Sequence, residues 1–203
     1  MNTPYDSLYY KTRYVDPFHV RSRVANIYYL WLAFFCIIIP GKLKKGSKVL
    51  DVGCGVGNLV WALRFFGIDA YGIDPSTSAK RYCRISQYCQ YKNVKKLPYK
   101  SSSFDLVCTN EVLEHIDEKY LNESIMKMNR LSNNMIHIIG VKERGKMIIN
   151  DPTHLTIKKE NWWGKKFKRL GFDVKTGNLF YFFPHKTPIS GFKRGYFYIS
   201  NNK

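Results

Sequence analysis

The chain has 203 residues, enough for one α/β domain with a full core and too few for two of that size. Lys and Arg total 33 against 15 Asp and Glu, a formal charge of +18 that favours anionic partners; nucleic acid, a membrane surface and a merely solvated basic face all remain open. Five cysteines, an odd number with no Cys-x-x-Cys pair, argue against a zinc finger and read as reduced, buried thiols. Residues 1 to 17 carry no basic start followed by an apolar core, so the expected location is cytoplasmic.

Residues 1 to 23 are rich in Tyr and Arg and read either as an arm over a pocket or as a packing appendage. Ile27 to Ile39 follows without a charge or a glycine and stops at Pro40-Gly41. A membrane-spanning helix needs about 20 apolar residues, so this shorter run predicts a buried cover helix. Membrane contact is the alternative, because Lys42, Lys44 and Lys45 just beyond it suit an anionic surface. We therefore expect a cover segment over 1–45 and one α/β domain over 46–203.

Lys48 to Asn58 predicts a strand, a tight turn and a helix start. Val49, Leu50 and Val52 suit a buried parallel strand, Gly53, Gly55 and Gly57 let the backbone turn close to a ligand, and Gly67 ends the helix expected from about Val56. No Gly-Lys-Ser/Thr follows, which excludes a Walker loop, and Asn58 stands where the dinucleotide fingerprint needs its third glycine. Asp51 would repel a pyrophosphate but attract the ammonium and sulfonium of S-adenosylmethionine.

Further along, strands are expected at 69–73, about 91–95, 104–109, 134–139, about 172–180 and 194–199, alternating with helices. That pattern implies a parallel sheet covered on both faces. Asp117 reads as a helix cap, Leu121, Ile125 and Met128 as one apolar stripe, and Trp163, Phe167 and Leu170 as another. Lys158, Lys159, Lys165, Lys166, Lys168 and Arg169 crowd the opposite side of the second helix.

Val49 to Gly57, Ile73-Asp74, Leu97-Pro98-Tyr99 and Ser103-Phe104-Asp105-Leu106-Val107 through Glu111-Val112-Leu113-Glu114-His115-Ile116 together resemble class I S-adenosylmethionine-dependent methyltransferases, in the small-molecule branch that includes quinone-biosynthesis enzymes. The resemblance implies a Rossmann-like, seven-stranded, mostly parallel sheet with helices on both faces, an antiparallel final hairpin and an N-terminal helical cover. It implies S-adenosylmethionine as cofactor, met by Asp51, Gly53, Cys54, Gly55, Gly57, Asp74, Pro75, Asn93, Asn110 and Glu111, with Asp74 accepting the ribose hydroxyls. Asn93 stands where the family usually has an acid; its carbonyl can still accept from an adenine amine. Tyr10, Arg13 and Tyr14 are candidates to meet the methionine carboxylate.

Methyl transfer to a hydroxyl or amine calls for a base, and His115 and His154 are the candidates, with Asp151 or Glu114 to orient them. Capping of the next helix is the competing role for His115. Thr109-Asn110-Glu111-Val112 lacks the Pro-Pro-aromatic clamp of exocyclic-amine methylases, so a flipped base would lose its stacking platform. The expected function is methyl transfer to O or N of a small or surface-presented acceptor. The alternatives are methylation of RNA or another polyanion, and a non-catalytic methyltransferase-like subunit.

Overall fold

The structure, a computed structural model, describes residues 20–92, 97–142, 153–177 and 194–201. Seven strands, β1 (Lys48–Val52), β2 (Asp69–Asp74), β3 (Cys89–Tyr91), β4 (Leu106–Asn110), β5 (Asn134–Gly140), β6 (Asp173–Thr176) and β7 (Arg194–Ser200), form a mostly parallel sheet in the order β3-β2-β1-β4-β5-β7-β6. Strand β7 runs antiparallel to both β5 and β6, as the expected final hairpin requires. The chain divides into two compact units, Met1–Pro98 and Tyr99–Lys203.

In the first unit, β1 is buried from Val49 to Val52, which fits its near-continuous apolar run. Helix α2 (Asn58–Phe65) starts two residues later than expected, because Gly57 takes a left-handed conformation at the cap. It buries Leu59, Val60, Ala62 and Leu63. It ends at Gly67 (φ +79), and Ile68 N–H returns to the Leu63 carbonyl at 3.1 Å in the manner of a glycine-terminated helix. Arg64 donates to Asp69 Oδ1 and the Ala70 carbonyl (3.1 and 3.0 Å), while its guanidinium lies 3.4 Å from the Tyr88 ring centroid. Strand β3 begins earlier than the expected start at about 91, and residues 93–95 of that expectation lie outside the described residues. A one-turn helix α3 (Thr77–Lys80), capped by Ser76, follows β2.

The expected cover helix needs correction. Helix α1 (Val20–Trp31) passes into a π-helical segment, Leu32–Ile38, whose Leu32, Ala33, Cys36 and Ile37 are buried. Phe34, Phe35 and Ile39 on the same segment, and Ile27 before it, are exposed. A thirteen-residue run with apolar side chains all round cannot bury every one of them against a single neighbouring layer, so one face stays outward. No helix among the described residues is long and apolar enough to cross a membrane.

In the second unit, Asp117 caps α4 (Glu118–Asn129), accepting from Lys119 N–H at 3.1 Å, and Leu121, Ile125 and Met128 are buried as expected. Helix α5 (Glu160–Arg169) buries Trp163 and Phe167, whereas Leu170 is only half-buried. His137 of β5 is a core residue: Thr109 Oγ1 lies 2.9 Å from its Nδ1, Phe167 stacks on its ring, and burial pushes its pKa down to about 3. Four of the five thiols are buried and Cys83 is only partly so.

Candidate active site

The turn after β1 is shaped by backbone. Gly53 N–H and Cys54 N–H both donate to the Ile73 carbonyl (2.8 and 3.2 Å), and Gly53, Gly55 and Gly57 take φ of +81, +52 and +81. Only glycine adopts such angles without strain. Asp74 braces the turn: its Oδ2 accepts from Gly55 N–H at 2.8 Å and its Oδ1 from Ser76 N–H at 2.7 Å. Tyr91 Oη donates to the Gly55 carbonyl at 3.0 Å from the end of β3. The turn therefore rests on Asp74 and Tyr91, and the second of these carried no signal in the sequence.

Asp51 sits directly before the turn, 2% exposed, and its Oδ1 has no hydrogen-bond partner among the described residues. Burial first, and the charge of Asp74 second, raise its carboxyl to about 8. A buried acceptor without a donor is costly, and an ammonium group placed there would supply the missing bond. A Cβ on Gly55 would meet no described atom within 4 Å, so the turn has open space at that position. These residues fit S-adenosylmethionine: Asp51 for the ammonium, the Gly53–Gly55 backbone for the methionine stem, and Asp74 for hydroxyls through lone pairs its two backbone bonds leave over.

Other expected contacts fare differently. The Cys54 side chain turns inward onto Gly72, whose added Cβ would stand 2.6 Å from Sγ, so the thiol packs the turn and only its backbone is available to a ligand. Pro75 is exposed immediately beyond Asp74. Tyr10, Arg13, Tyr14, Asn93 and Asp151 lie outside the described residues.

In the second unit the segment after β4 carries Asn110, Glu111, Glu114 and His115. Asn110 has a buried Oδ1 without a hydrogen-bond partner among the described residues, which suits a ligand donor. Glu111 (φ +56) is held by Arg194 of β7, whose Nε donates to Oε1 at 2.6 Å, so its carboxylate is engaged by a residue the sequence reading did not single out. Glu114 is buried and accepts from Gly140 N–H through Oε1 at 2.7 Å. Desolvation raises its pKa to about 8. Through Oε1 it anchors the end of β5, and it also offers a ligand atom within 4.8 Å of both histidines.

That anchor brings the two histidines together. The Glu114 carbonyl accepts from both Leu155 N–H and Thr156 N–H at 2.9 Å, and Thr156 Oγ1 donates to the Ile116 carbonyl at 2.7 Å. His115 Nδ1 lies 3.1 Å from the Thr153 carbonyl and 2.9 Å from Thr153 Oγ1. The His115 and His154 rings stand edge to face with centroids 4.6 Å apart. With Nδ1–H on the carbonyl, Nε2 is the basic nitrogen of His115. One ligand atom each from Glu114, His115 and His154 lies within 4.8 Å of the others, a set whose chemistry can also hold a divalent metal.

A mostly parallel sheet with a glycine turn after its first strand, an acid closing its second and an antiparallel last strand defines the class I, Rossmann-like S-adenosylmethionine fold. Within that class, the chain belongs to the methyltransferase domain family, whose model matches residues 31–185. It is 34% identical to norajmaline N-methyltransferase of Rauvolfia serpentina over 45% of this chain and 35% of that protein. It is 30% identical to the ubiquinone biosynthesis O-methyltransferase of Pelagibacter ubique over 51% of this chain and 44% of that one. It thus spans less than half the length of these curated relatives. Magnesium protoporphyrin IX methyltransferase of Synechocystis, solved with bound SAH, shares the fold with a TM-score of 0.65 at 19% identity, over 89% of this chain and 85% of that one.

Proposed function

We propose that this protein transfers a methyl group from S-adenosylmethionine to an oxygen or nitrogen of a small or surface-presented acceptor. The observation that carries the reading is the buried Asp51 carboxyl, whose Oδ1 has no hydrogen-bond partner among the described residues, directly before a glycine turn braced by Asp74. Family membership supports it, as do relatives named for O- and N-methylation.

When bound, S-adenosylmethionine supplies an electrophilic methyl on sulfur. The residues of the first unit hold it: Asp51 fixes the charged end, and the turn and Asp74 fix the sugar side. His154, held against His115, takes the proton of the acceptor hydroxyl or amine as the new bond forms, or orients the acceptor; His115 is the second candidate within the pair. Five free thiols, one of them part-exposed, fit a reducing compartment and support a cytoplasmic location.

A second reading, methylation of RNA or another polyanion, is favoured by α5. Lys165, Lys168 and Arg169 are exposed there, and Lys166 stands 5.5 Å from the Trp162 ring centroid. Lys158, expected on the same surface, is engaged by Glu118 at 2.8 Å. The test is transfer of a labelled methyl to fractionated cell extract. Label in small molecules or lipid supports the first reading, label in nucleic acid with steep salt dependence supports the second, and bound cofactor without label in any fraction overturns both.

A further inference from the structure

We propose that the outer face of the π-helical segment and the end of α2 dock this protein on an anionic lipid bilayer. Phe34, Phe35, Ile39 and Phe65 are 38%, 40%, 53% and 65% exposed. The phenylalanine rings adjoin one another through Phe66: the Phe34 centroid lies 5.1 Å from that of Phe35 and 5.3 Å from that of Phe66, and Phe66 lies 5.4 Å from Phe65. Scattered exposed apolar residues need no explanation, but contiguous aromatic ones mark an interaction site.

Charge selects the occupant. From Pro17 to Leu50 the sequence holds no Asp or Glu, while Lys42, Lys44 and Lys45 are exposed directly after the helical segment. Lys45 rims the patch: its Cγ would be 3.0 Å from a Cβ on Gly67, the second residue after Phe65, and Gly46 N–H donates to the Gly67 carbonyl at 2.9 Å. Its stem thus lies along the aromatic edge with the ammonium at the end, the arrangement by which lysines snorkel at an interface. Aromatic residues beside acid-free lysines are the composition of a helix lying in lipid headgroups. A second copy meeting face to face would bring the same lysines against each other, which opposes self-association. The proposal goes beyond methyl transfer and does not rest on it, because docking is read without turnover.

The test is flotation of the full chain with vesicles of phosphatidylcholine alone and of phosphatidylcholine mixed with phosphatidylserine. The protein is expected to float with the mixed vesicles and to stay in solution with the neutral ones. Phe34→Ser combined with Phe35→Ser should lower the bound fraction at least about tenfold through lost apolar burial. Lys42→Glu, Lys44→Glu and Lys45→Glu, all exposed loop changes that leave the core alone, should each lower the partition by about fivefold or more. Circular dichroism confirms folding of each variant. The proposal is overturned if the parent stays in solution with both vesicles, or if binding survives both sets of variants. A concentration-dependent dimer abolished by the phenylalanine changes, with no vesicle binding, also overturns it and assigns the face to a second copy.

Discussion

The glycine turn and the histidine pair are two ways of building a site. In the turn, backbone does the work: Gly53, Gly55 and Gly57 set its path, and Asp74 and Tyr91 bond to its main chain at 2.8 and 3.0 Å. In the pair, the backbone is only a frame. The Glu114 carbonyl holds Leu155 and Thr156, and the imidazoles of His115 and His154 hang from the two segments so joined. Substitution in the turn should therefore disturb fold and ligand together, whereas a histidine can be removed with its frame left standing.

His154→Ala gives the largest effect and tests the second half of that contrast. Loss of a general base typically costs about a hundredfold to ten-thousandfold in rate. Turnover on the true acceptor should fall into that range while S-adenosylmethionine affinity, by calorimetry, stays within about twofold and thermal unfolding is unchanged. Intact turnover reduces His154 to a loop residue; the same loss in His115→Ala alone moves the base one ring over.

Gly57→Val tests the first half. The new Cβ would stand 3.0 Å from Cys89 Sγ and 3.1 Å from Cys83 Sγ at a φ of +81. Left-handed strain of about 1–2 kcal/mol and overpacking of about 1–3 kcal/mol should together lower stability in denaturant titration and weaken cofactor binding in parallel. Gly55→Val, with nothing within 4 Å of its Cβ, meets strain but no clash and should be milder. Affinity lost without stability in Gly57→Val would break the comparison.

Asp51→Asn should weaken S-adenosylmethionine binding by roughly 1.5–3 kcal/mol, the range for a hydrogen bond to a charged group. Its pH dependence follows from a carboxyl raised to about 8 in the ligand-free protein. A cationic ligand needs the carboxylate, so affinity should tighten as pH rises towards that value, with a proton released on binding, and the asparagine variant should lose this slope. Folding works in the opposite sense. An acid whose folded pKa is raised stabilises the protein at low pH, and that stability is lost as pH climbs from the ordinary value of 3.8 to about 8. Glu114, also raised to about 8, adds to the same trend, so Asp51→Asn should flatten only part of it.

The smallest effect expected is that of Thr156→Val, which removes the 2.7 Å bond to the Ile116 carbonyl. About 1–2 kcal/mol of stability should be lost, with turnover reduced because the frame under His154 loosens. Unchanged stability would show that the two Glu114 carbonyl bonds hold the frame alone.

The turn was legible in the sequence because its determinants are contiguous. Residues 49–57 specify a buried strand, three positive φ angles that glycine adopts without strain, and an acid directly before them. Alternation of apolar runs with helical stripes likewise fixed the strand positions to within a few residues, the last hairpin included; β3 moved because three residues carry too little period to place an end.

The sequence by itself thus determined the sheet, the turn and the acids at the ends of β1 and β2, all of which depend on local period and on backbone angles. Tertiary structure alone decided three things: that Asp74 braces the turn, that Glu114 is a core anchor joining the two histidine segments, and that Arg194 of β7 engages Glu111. It also decided which side of the Leu32–Ile38 segment stays outward. A carboxylate, an arginine or a phenylalanine reads the same in sequence whether it faces core, ligand or solvent; only the partners folding brings to it, over separations of 19 to 83 residues in these bonds, settle which.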